Sequence, residues 1–421
     1  MASPVLLDRT PHGGAGEAPR AARRSLRIQL WSCNYEPEPS GIAPLSAIWA
    51  KAMLARGHRV DVVAAHPHYP TPIWGHPRRP YRELLDGVPV LRLPLWIGHD
   101  STFQRMRQEL AHTASLAAAL PVLGRPDVIV AVSPSFPALV PAMLDARARR
   151  VPWTLWLQDI LPDGAAATGL IRSGPLLSTL RGLERIAYRS ASRIFVISDA
   201  FRRNLLTKGV PDAKVTRIYN PSAVPVGPYR APTPPPGPAR LLVMGNIGHS
   251  QGLAELVRAL ERDDLLGVTD AQLRIAGAGV AEPDVRSAIR GDRVEMLGLL
   301  FGGAIERELR TATLGIVTQR RDILEFNLPS KLMNYMAHSL PVLAFVNPGS
   351  ECARIVEESG GGWVLDSGRP DRLHRVLHEI LARPIDLEAR GRAAHAYAAA
   401  HFAPERVAQR YEERLLALVG A

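Results

Sequence analysis

Residues 318–338, TQRRDILEFNLPSKLMNYMAH, follow a short apolar run, LGIV at 314–317, that is typical of a buried strand. After a polar loop, Pro329 occupies the place of a first helical turn, where proline is tolerated. The residues beyond it recur at the spacing of an inward helix face: Leu332, Tyr335, Met336 and Ser339. The stretch therefore predicts a strand, a loop and a helix, which is the repeating unit of a parallel sheet.

The loop and the helix start carry positive charge, from Arg320, Arg321 and Lys331. A helix that begins just past the end of a parallel strand presents free backbone N–H groups and a positive dipole end to an anion. We interpret the stretch as a diphosphate-binding site. A solvated basic loop before a packed helix is the alternative, and this stretch alone leaves both open.

The same alternation of strand and helix extends over the rest of the chain. A strand at residues 26–32, a helix at 44–56 and a strand at 60–65 open the pattern, and a second series of strands begins at residue 240. Between the two series, the segment from Pro221 to Pro238 contains eight prolines, which is typical of an extended linker. The fold class predicted is α/β, with two Rossmann-like doubly wound domains facing a cleft.

The composition shifts divide the chain into five predicted segments. They are a disordered extension at 1–25, a first Rossmann-like domain at 26–221, a Pro-rich linker at 222–239, a second Rossmann-like domain at 240–385 and C-terminal helices at 386–421 that pack back across the domains. The stretch at 66–86, rich in proline, histidine and aromatic residues, is predicted to be a long functional loop.

Charge and cysteine content restrict the classes of function. The chain has 51 Lys and Arg against 40 Asp and Glu, a net charge of +11, which favours anionic membranes or phosphorylated substrates. Motifs for nucleic-acid binding do not stand out, so no nucleic-acid partner is expected. Two cysteines, no signal sequence and no long apolar run predict a cytoplasmic protein, with a peripheral position at the inner face of the cell membrane also open.

Polar and glycine positions at predicted strand ends are the candidate site residues. Gly245, Asn246, Gly248 and Gln251 follow the first strand of the second domain and suit a phosphate, although a tight turn explains them equally well. Gly277 follows the next strand and either lines the nucleotide or simply turns the chain.

In the first domain, Asp159 follows a strand and is a candidate for contact with a sugar hydroxyl, as is Asp163 with less support; a helix N-cap is the alternative. Gly41 would let its loop reach the cleft. Glu351 begins a helix, where the dipole alone favours a carboxylate, and sugar binding is only a hypothesis. His66, His68 and His76 match no standard metal spacing, so we expect loop histidines that bind nothing.

In this order, the motifs resemble glycosyltransferase family 4, of the GT-B fold, and its colanic-acid-type branch. The resemblance covers residues 27–418. It depends on Ser40-Gly41, residues 55–58 (ARGH), Leu157-Gln158-Asp159, Pro162-Asp163, Ile197-Ser198 with Phe201 and Asn204, the 245–252 turn, and residues 328–331 (LPSK).

The resemblance implies roles for these residues. The second domain would bind the donor and the first the acceptor, with no metal or other cofactor. Many members hold the diphosphate with an Arg and a Lys where this chain has Asn246 and Gln251, and carry a second Glu where it has Asn334. We therefore assign the diphosphate contact to Lys331, Arg320 and Arg321, with Ser330 beside them. The ribose contact is assigned to Glu325 or Asn334.

The function implied is retaining transfer of a sugar from a nucleotide diphosphate sugar to a glycan or polyprenyl-diphosphate-linked acceptor in surface polysaccharide synthesis. Lys331 and Asp159 are the expected catalytic residues, and contact with a membrane surface would suit the charge. The absent Arg and Lys motivate an alternative, a non-catalytic GT-B-fold partner subunit of a polysaccharide assembly complex.

Overall fold

The computed structural model describes residues 24–39, 41–68, 74, 79–97, 102–133, 135, 137–160, 175–321 and 328–420. The extension predicted at 1–25 lies almost entirely outside these residues. Within them, no helix is both long enough and apolar enough to cross a membrane.

The first domain is built on an eight-stranded sheet among the described residues, in the order β3-β4-β2-β1-β5-β6-β7-β8. Its strands are β1 (Arg27–Trp31), β2 (Arg59–Ala65), β3 (Tyr81–Leu85), β4 (Val88–Leu93), β5 (Val128–Val132), β6 (Trp153–Leu157), β7 (Arg193–Val196) and β8 (Val215–Arg217). Its helices are α1 (Ile42–Ala55), α2 (Thr102–Ala119), α3 (Leu139–Arg149), α4 (Pro175–Ser190) and α5 (Asp199–Thr207).

Two parts of the predicted pattern are wrong in this domain. The stretch at 66–86 is not loop throughout, because Tyr81–Leu85 forms β3, an antiparallel edge strand that pairs with β4. The hairpin turn is Asp86-Gly87, with φ of 47° and 83°, which is the positive-φ turn that joins two antiparallel strands most readily. The three-residue strand β8 was not predicted at all.

The second domain has a six-stranded, fully parallel sheet among the described residues, in the order β11-β10-β9-β12-β13-β14. Its strands are β9 (Ala239–Met244), β10 (Ala271–Ala276), β11 (Val294–Gly298), β12 (Leu314–Thr318), β13 (Val342–Val346) and β14 (Gly362–Asp366). Its helices are α6 (Leu253–Glu261), α7 (Leu265–Val268), α8 (Glu282–Ala288), α9 (Gly303–Thr311), α10 (Ser330–Ala337), α11 (Glu351–Ser359), α12 (Leu373–Leu381) and α13 (Pro384–His401).

Helices cover both faces of each sheet, as in the doubly wound fold predicted. In the first domain, α2, α3, α4 and α5 pack on one face and α1 on the other. In each sheet the chain reverses its direction of growth beside the first strand, between β1 and β5 and between β9 and β12. Ligands bind in the crevice that such a reversal opens at the carboxyl ends of the strands.

A last helix, α14 (Pro404–Gly420), returns from the second domain to pack on α1 of the first. Its Tyr411 is fully buried among aromatic side chains of the first domain: Trp49, Trp156 and Phe195. Next to it, Glu412 accepts hydrogen bonds from the Arg56 guanidinium, at 2.9 Å to Nε, and lies 3.2 Å from His58 Nε2. The helix therefore completes the core of the first domain.

Candidate active site

The crevice of the second domain begins at the glycine turn after β9. Gly245 has a φ of +105°, which favours glycine, and it is exposed. Gly277, after β10, lies so close that an added Cβ would be 1.9 Å from the Gly245 carbonyl oxygen. The close approach of the two backbones is thus a sufficient reason for glycine at 277. The outer edge of the turn, at Gly245, is open to solvent.

Lys331 lies under this turn. The Lys331 Cε is 3.8 Å from where a Gly245 Cβ would stand, and the ammonium group donates to Gln251 Oε1 at 2.8 Å. The side chain is buried, and burial lowers the pKa of Lys331 to about 8. Within the described part of the chain, no carboxylate forms an ion pair with it. A buried ammonium that has only an amide for a partner is costly, unless an anion binds beside it.

The loop after β12 brings Arg320 to the same place. Its backbone N–H donates to Ser250 O at 3.0 Å, and its Cγ is 3.0 Å from where a Gly252 Cβ would stand. Arg321 is directed elsewhere, with its guanidinium 4.0 Å from Asp366. The next residues, including Glu325, lie outside the described chain. The structure therefore brings Lys331, Gln251, Gly245 and Arg320 together, with Arg321 at the margin.

The remaining glycine-turn residues border this group. Asn246 is exposed, and its amide oxygen is 2.7 Å from where a Gly279 Cβ would stand. Gly248 is buried at the start of a short 3-10 turn, and Ser330 is exposed in the first turn of α10. Pro329 is the N-cap of α10 and not part of its first turn, so the helix begins one residue later than predicted, at Ser330.

Two predicted donor contacts face the junction between the domains instead. Asn334 accepts hydrogen bonds from Ser222 Oγ at 3.3 Å and Ala223 N at 3.2 Å, which fixes α10 to the interdomain linker. Glu351 is 2% exposed, accepts from Tyr219 Oη at 3.2 Å and pairs with Arg354. Both side chains therefore have partners at the junction between the domains, and their predicted contacts with the ribose and the sugar stay predictions.

Tyr335 is a positioning residue that the helical pattern identified only as core. Its hydroxyl accepts from Met244 N at 2.9 Å and donates to Leu242 O at 3.1 Å. Gly315 in β12 makes room for the ring, since a Cβ there would come within 2.6 Å of it. Tyr335 thereby ties α10, which carries Lys331, to the end of β9, which carries the glycine turn.

The crevice of the first domain holds Asp159, just past β6. Its side chain is accessible, yet the surrounding protein raises the pKa of its carboxyl. Buried Ser133, at the end of the neighbouring strand, accepts from Gln158 N at 2.9 Å. The Gln158 amide exchanges two 2.8 Å hydrogen bonds with Asn220. Asp159 is thus held at the carboxyl end of the sheet by contacts of the preceding residue with Ser133 and with Asn220, just before the linker.

Two of the histidines after β2, His66 and His68, belong to a group of buried polar side chains. Both are buried, and His68 Nδ1 lies 3.1 Å from Glu38, which also accepts from His68 N at 2.7 Å. Nearby, burial lowers the pKa of His112 to about 4 and raises that of Glu109, whose carboxylate accepts from Ser135. Sequence spacing could not show this group, since it is assembled from four different loops and helices.

Of the other predicted residues, Gly41 is exposed at the N-terminus of α1 with φ of +68°, while Asp163 and His76 lie outside the described chain. Among the described residues, no group of three His, Cys, Asp or Glu side chains could hold a metal ion. Cys33 and Cys352 are both free thiols.

Comparison with known proteins places both domains. The model of the glycosyl transferase 4-like domain matches residues 40–221, and that of glycosyl transferases group 1 matches residues 238–383. The putative colanic acid biosynthesis glycosyl transferase WcaI of Escherichia coli K12 is 26% identical over 341 residues, 74% of this chain and 81% of its own. The probable glycosyltransferase WbjE of Pseudomonas aeruginosa is 26% identical over 54% of this chain and 59% of its own.

Solved structures share the fold over most of the chain. Sucrose-phosphate synthase from Thermosynechococcus elongatus superposes with a TM-score of 0.71 at 16% identity, over 93% of this chain and 99% of that one. HepE of Anabaena, solved with UDP and glucose, gives 0.64 at 17% identity over the same shares. WaaG, a glycosyltransferase of lipopolysaccharide biosynthesis, gives 0.64 at 15% identity, over 91% of this chain and 99% of its own.

Proposed function

The chain belongs to the glycosyltransferases of the GT-B fold, with a 4-like domain followed by a group 1 domain, and from this we propose that it transfers a sugar, with retention, from a nucleotide diphosphate sugar to a glycan or lipid-linked glycan acceptor. The family match argues for an enzyme and against a non-catalytic partner subunit. The likeness to a colanic acid glycosyl transferase supports a surface or extracellular polysaccharide as the product.

The observation that carries the proposal is the buried ammonium of Lys331 under an open glycine turn. Its depressed pKa and the lack of a carboxylate partner among the described residues leave positive charge that a diphosphate would neutralise. The start of α10 adds the positive end of a helix dipole, and Arg320 approaches from the side of β12. Three sources of positive potential therefore converge at the reversal between β9 and β12.

Departure of the nucleoside diphosphate is the step that this site would assist. The bond between the anomeric carbon and the phosphate oxygen breaks, and Lys331 with Arg320 offsets the charge that develops on that oxygen. The acceptor oxygen bonds to the anomeric carbon on the face the diphosphate leaves, which retains the configuration. The acceptor proton passes to the departing phosphate oxygen, so this scheme needs no protein base.

Acceptor binding belongs to the crevice of the first domain. Asp159 is accessible at its edge, and a carboxylate there can accept a hydrogen bond from an acceptor hydroxyl and orient it. We propose that the acceptor lies between Asp159 and the donor, close to the inner face of the cell membrane.

The test is ligand-induced thermal stabilisation by UDP, GDP, ADP, dTDP and their common sugar conjugates. One nucleotide series should stabilise the wild type, by about 2.7 kcal/mol at 100 times its Kd. HepE was solved with UDP and with UDP-glucose, so uridine nucleotides are tested first. Lys331→Met should lose that shift while it remains folded.

Arg290→Ala is the matched control, because this exposed arginine precedes β11 at the opposite end of the sheet. It should keep the full shift. If no nucleotide stabilised the wild type, with or without a glycan acceptor present, the donor site proposed here would be excluded. An equal shift in wild type and Lys331→Met would move the diphosphate away from α10.

A further inference from the structure

Three neighbouring helices of the first domain share one outer surface. α2 packs beside α3, and α3 beside α4, on the face of the sheet opposite to α1 and α14. We call the exposed side of α2, α3 and α4 the arginine face. It lies away from the core that the three helices share, and the contacts of the described residues leave it open to solvent.

Every exposed charged side chain that the structure describes on these three helices is an arginine. They are Arg107 on α2, Arg147 on α3, and Arg181, Arg185 and Arg189 on α4, with Arg150 at the end of α3. The acidic residues of the same helices are directed inward: Asp145 pairs with Arg149, Glu184 with Lys208, and Glu109 is held by Ser135. The charge of the face is therefore of one sign.

Large apolar side chains lie among these arginines. Leu110 on α2, Leu144 on α3 and Ile186 on α4 are each 57–58% exposed, and Met106 lies one turn before Leu110. Trp96, next to α2, is 57% exposed, with the Arg107 guanidinium 4.2 Å from its ring centre. Exposed apolar side chains grouped on one surface are typical of an interaction site, and here they indicate a partner with an apolar interior.

We propose that the arginine face docks on an anionic lipid bilayer, with the arginines at the headgroups and the apolar side chains below them. A second copy of this chain would place like charges against each other across a two-fold axis, which disfavours that occupant. A nucleic acid would pair with the arginines but would leave Leu110, Leu144 and Ile186 in water. A lipid surface satisfies both kinds of side chain.

The inference extends the proposed function to lipid-linked acceptors. α2 begins beyond the carboxyl end of β4, so the arginine face starts at the end of the sheet where the crevice that holds Glu38 and Asp159 opens, and it extends from there toward the amino ends of the strands. An acceptor anchored in the bilayer under this face would reach the crevice from its edge. The docking itself needs neither donor nor acceptor, so it can fail while the proposed transfer stands, and the reverse.

Vesicle sedimentation with the full chain tests the docking. The wild type should sediment with phosphatidylcholine vesicles that contain phosphatidylglycerol, and much less with phosphatidylcholine alone. Arg185→Glu with Arg189→Glu should weaken binding by about 30-fold or more, since each basic residue near an anionic surface contributes roughly fivefold. Leu110→Ser with Ile186→Ser should weaken binding while leaving its dependence on anionic lipid in place.

The matched controls are Arg258→Glu with Arg290→Glu, and Ile385→Ser, all exposed in the second domain. They should bind vesicles as the wild type does. Equal losses in face and control variants would overturn the proposal, because net charge alone would then explain binding. So would a wild type that ignores anionic vesicles and instead binds single-stranded nucleic acid through the same arginines.

Discussion

Lys331 combines high burial with a charge that the folded chain does little to compensate. Its pKa is about 8 in the folded state and 10.5 in an ordinary, solvated lysine, and the difference arises from desolvation. Burial of this charge lowers the free energy of unfolding, and an anion bound beside it would raise that free energy again. Binding sites commonly lower the stability of a fold in this way. The same property makes its contribution to stability measurable through pH.

We expect Lys331→Met to be more stable than the wild type at pH 7, by about 3 kcal/mol at most. Between pH 8 and 10.5 the unfolded wild type binds more protons than the folded one, so its stability rises with pH there and the advantage of the variant shrinks. Denaturant unfolding of both proteins from pH 6.5 upward measures this. A constant difference across that range would show that Lys331 is not desolvated as described.

At the scale of the element, α10 matters because one hydroxyl joins it to β9. Tyr335→Phe should destabilise the second domain by about 1–3 kcal/mol, since it leaves the half-buried Met244 N–H and the buried Leu242 C=O without this partner. It should also weaken nucleotide binding, because the helix that carries Lys331 loses its tie to the glycine turn. Chemical unfolding and the nucleotide-induced thermal shift report the two effects.

Tyr411→Phe is the control for that change. The Tyr411 hydroxyl is also buried but has no hydrogen-bond partner in the described part of the chain, so its removal should be neutral or stabilising. If both variants lost the same stability, the hydrogen bonds of Tyr335 would not be the cause.

Sequence reasoning succeeded where burial is uniform along an element. The strands predicted at 26–32, 60–65 and 314–317 match Arg27–Trp31, Arg59–Ala65 and Leu314–Thr318 to within one residue at each end, because strands buried on both faces are nearly continuous apolar runs. It failed at β3, an edge strand with mixed polar residues, and at β8, which has three. At the site, the place of Lys331 at a helix start after a strand was enough to predict that it lies near the glycine turn. The contacts of Asn334 and Glu351 could not be predicted, since their partners are distant in sequence, in and just before the linker.

At the scale of the whole molecule, the two domains are joined twice, by the linker and by α14. Glu412 is the polar centre of the second connection, 4% exposed and shared by Arg56 and His58. Glu412→Ala should cost the first domain about 3 kcal/mol, because it leaves a largely buried guanidinium unpaired. Six of the seven tryptophans precede the linker, so tryptophan fluorescence follows the unfolding of that domain.

The neighbouring Glu413→Ala is exposed and should leave that unfolding unchanged. Nucleotide binding should survive in both variants, since the donor residues are all in the second domain. A Glu412→Ala protein as stable as the wild type would show that α14 is held by its apolar contacts alone.

The position of Tyr411 also imposes an order on folding in the cell. Trp49, Trp156 and Phe195 leave the ribosome early, but the side chain that fills the space between them is translated only after the whole second domain. Until then the aromatic core of the first domain is incomplete, and its exposed apolar surface can bind chaperones. Although the chain has two domains, the first should therefore complete its folding only at the end of synthesis. A chain truncated before residue 404, which lacks α14, should contain an unstable and aggregation-prone first domain.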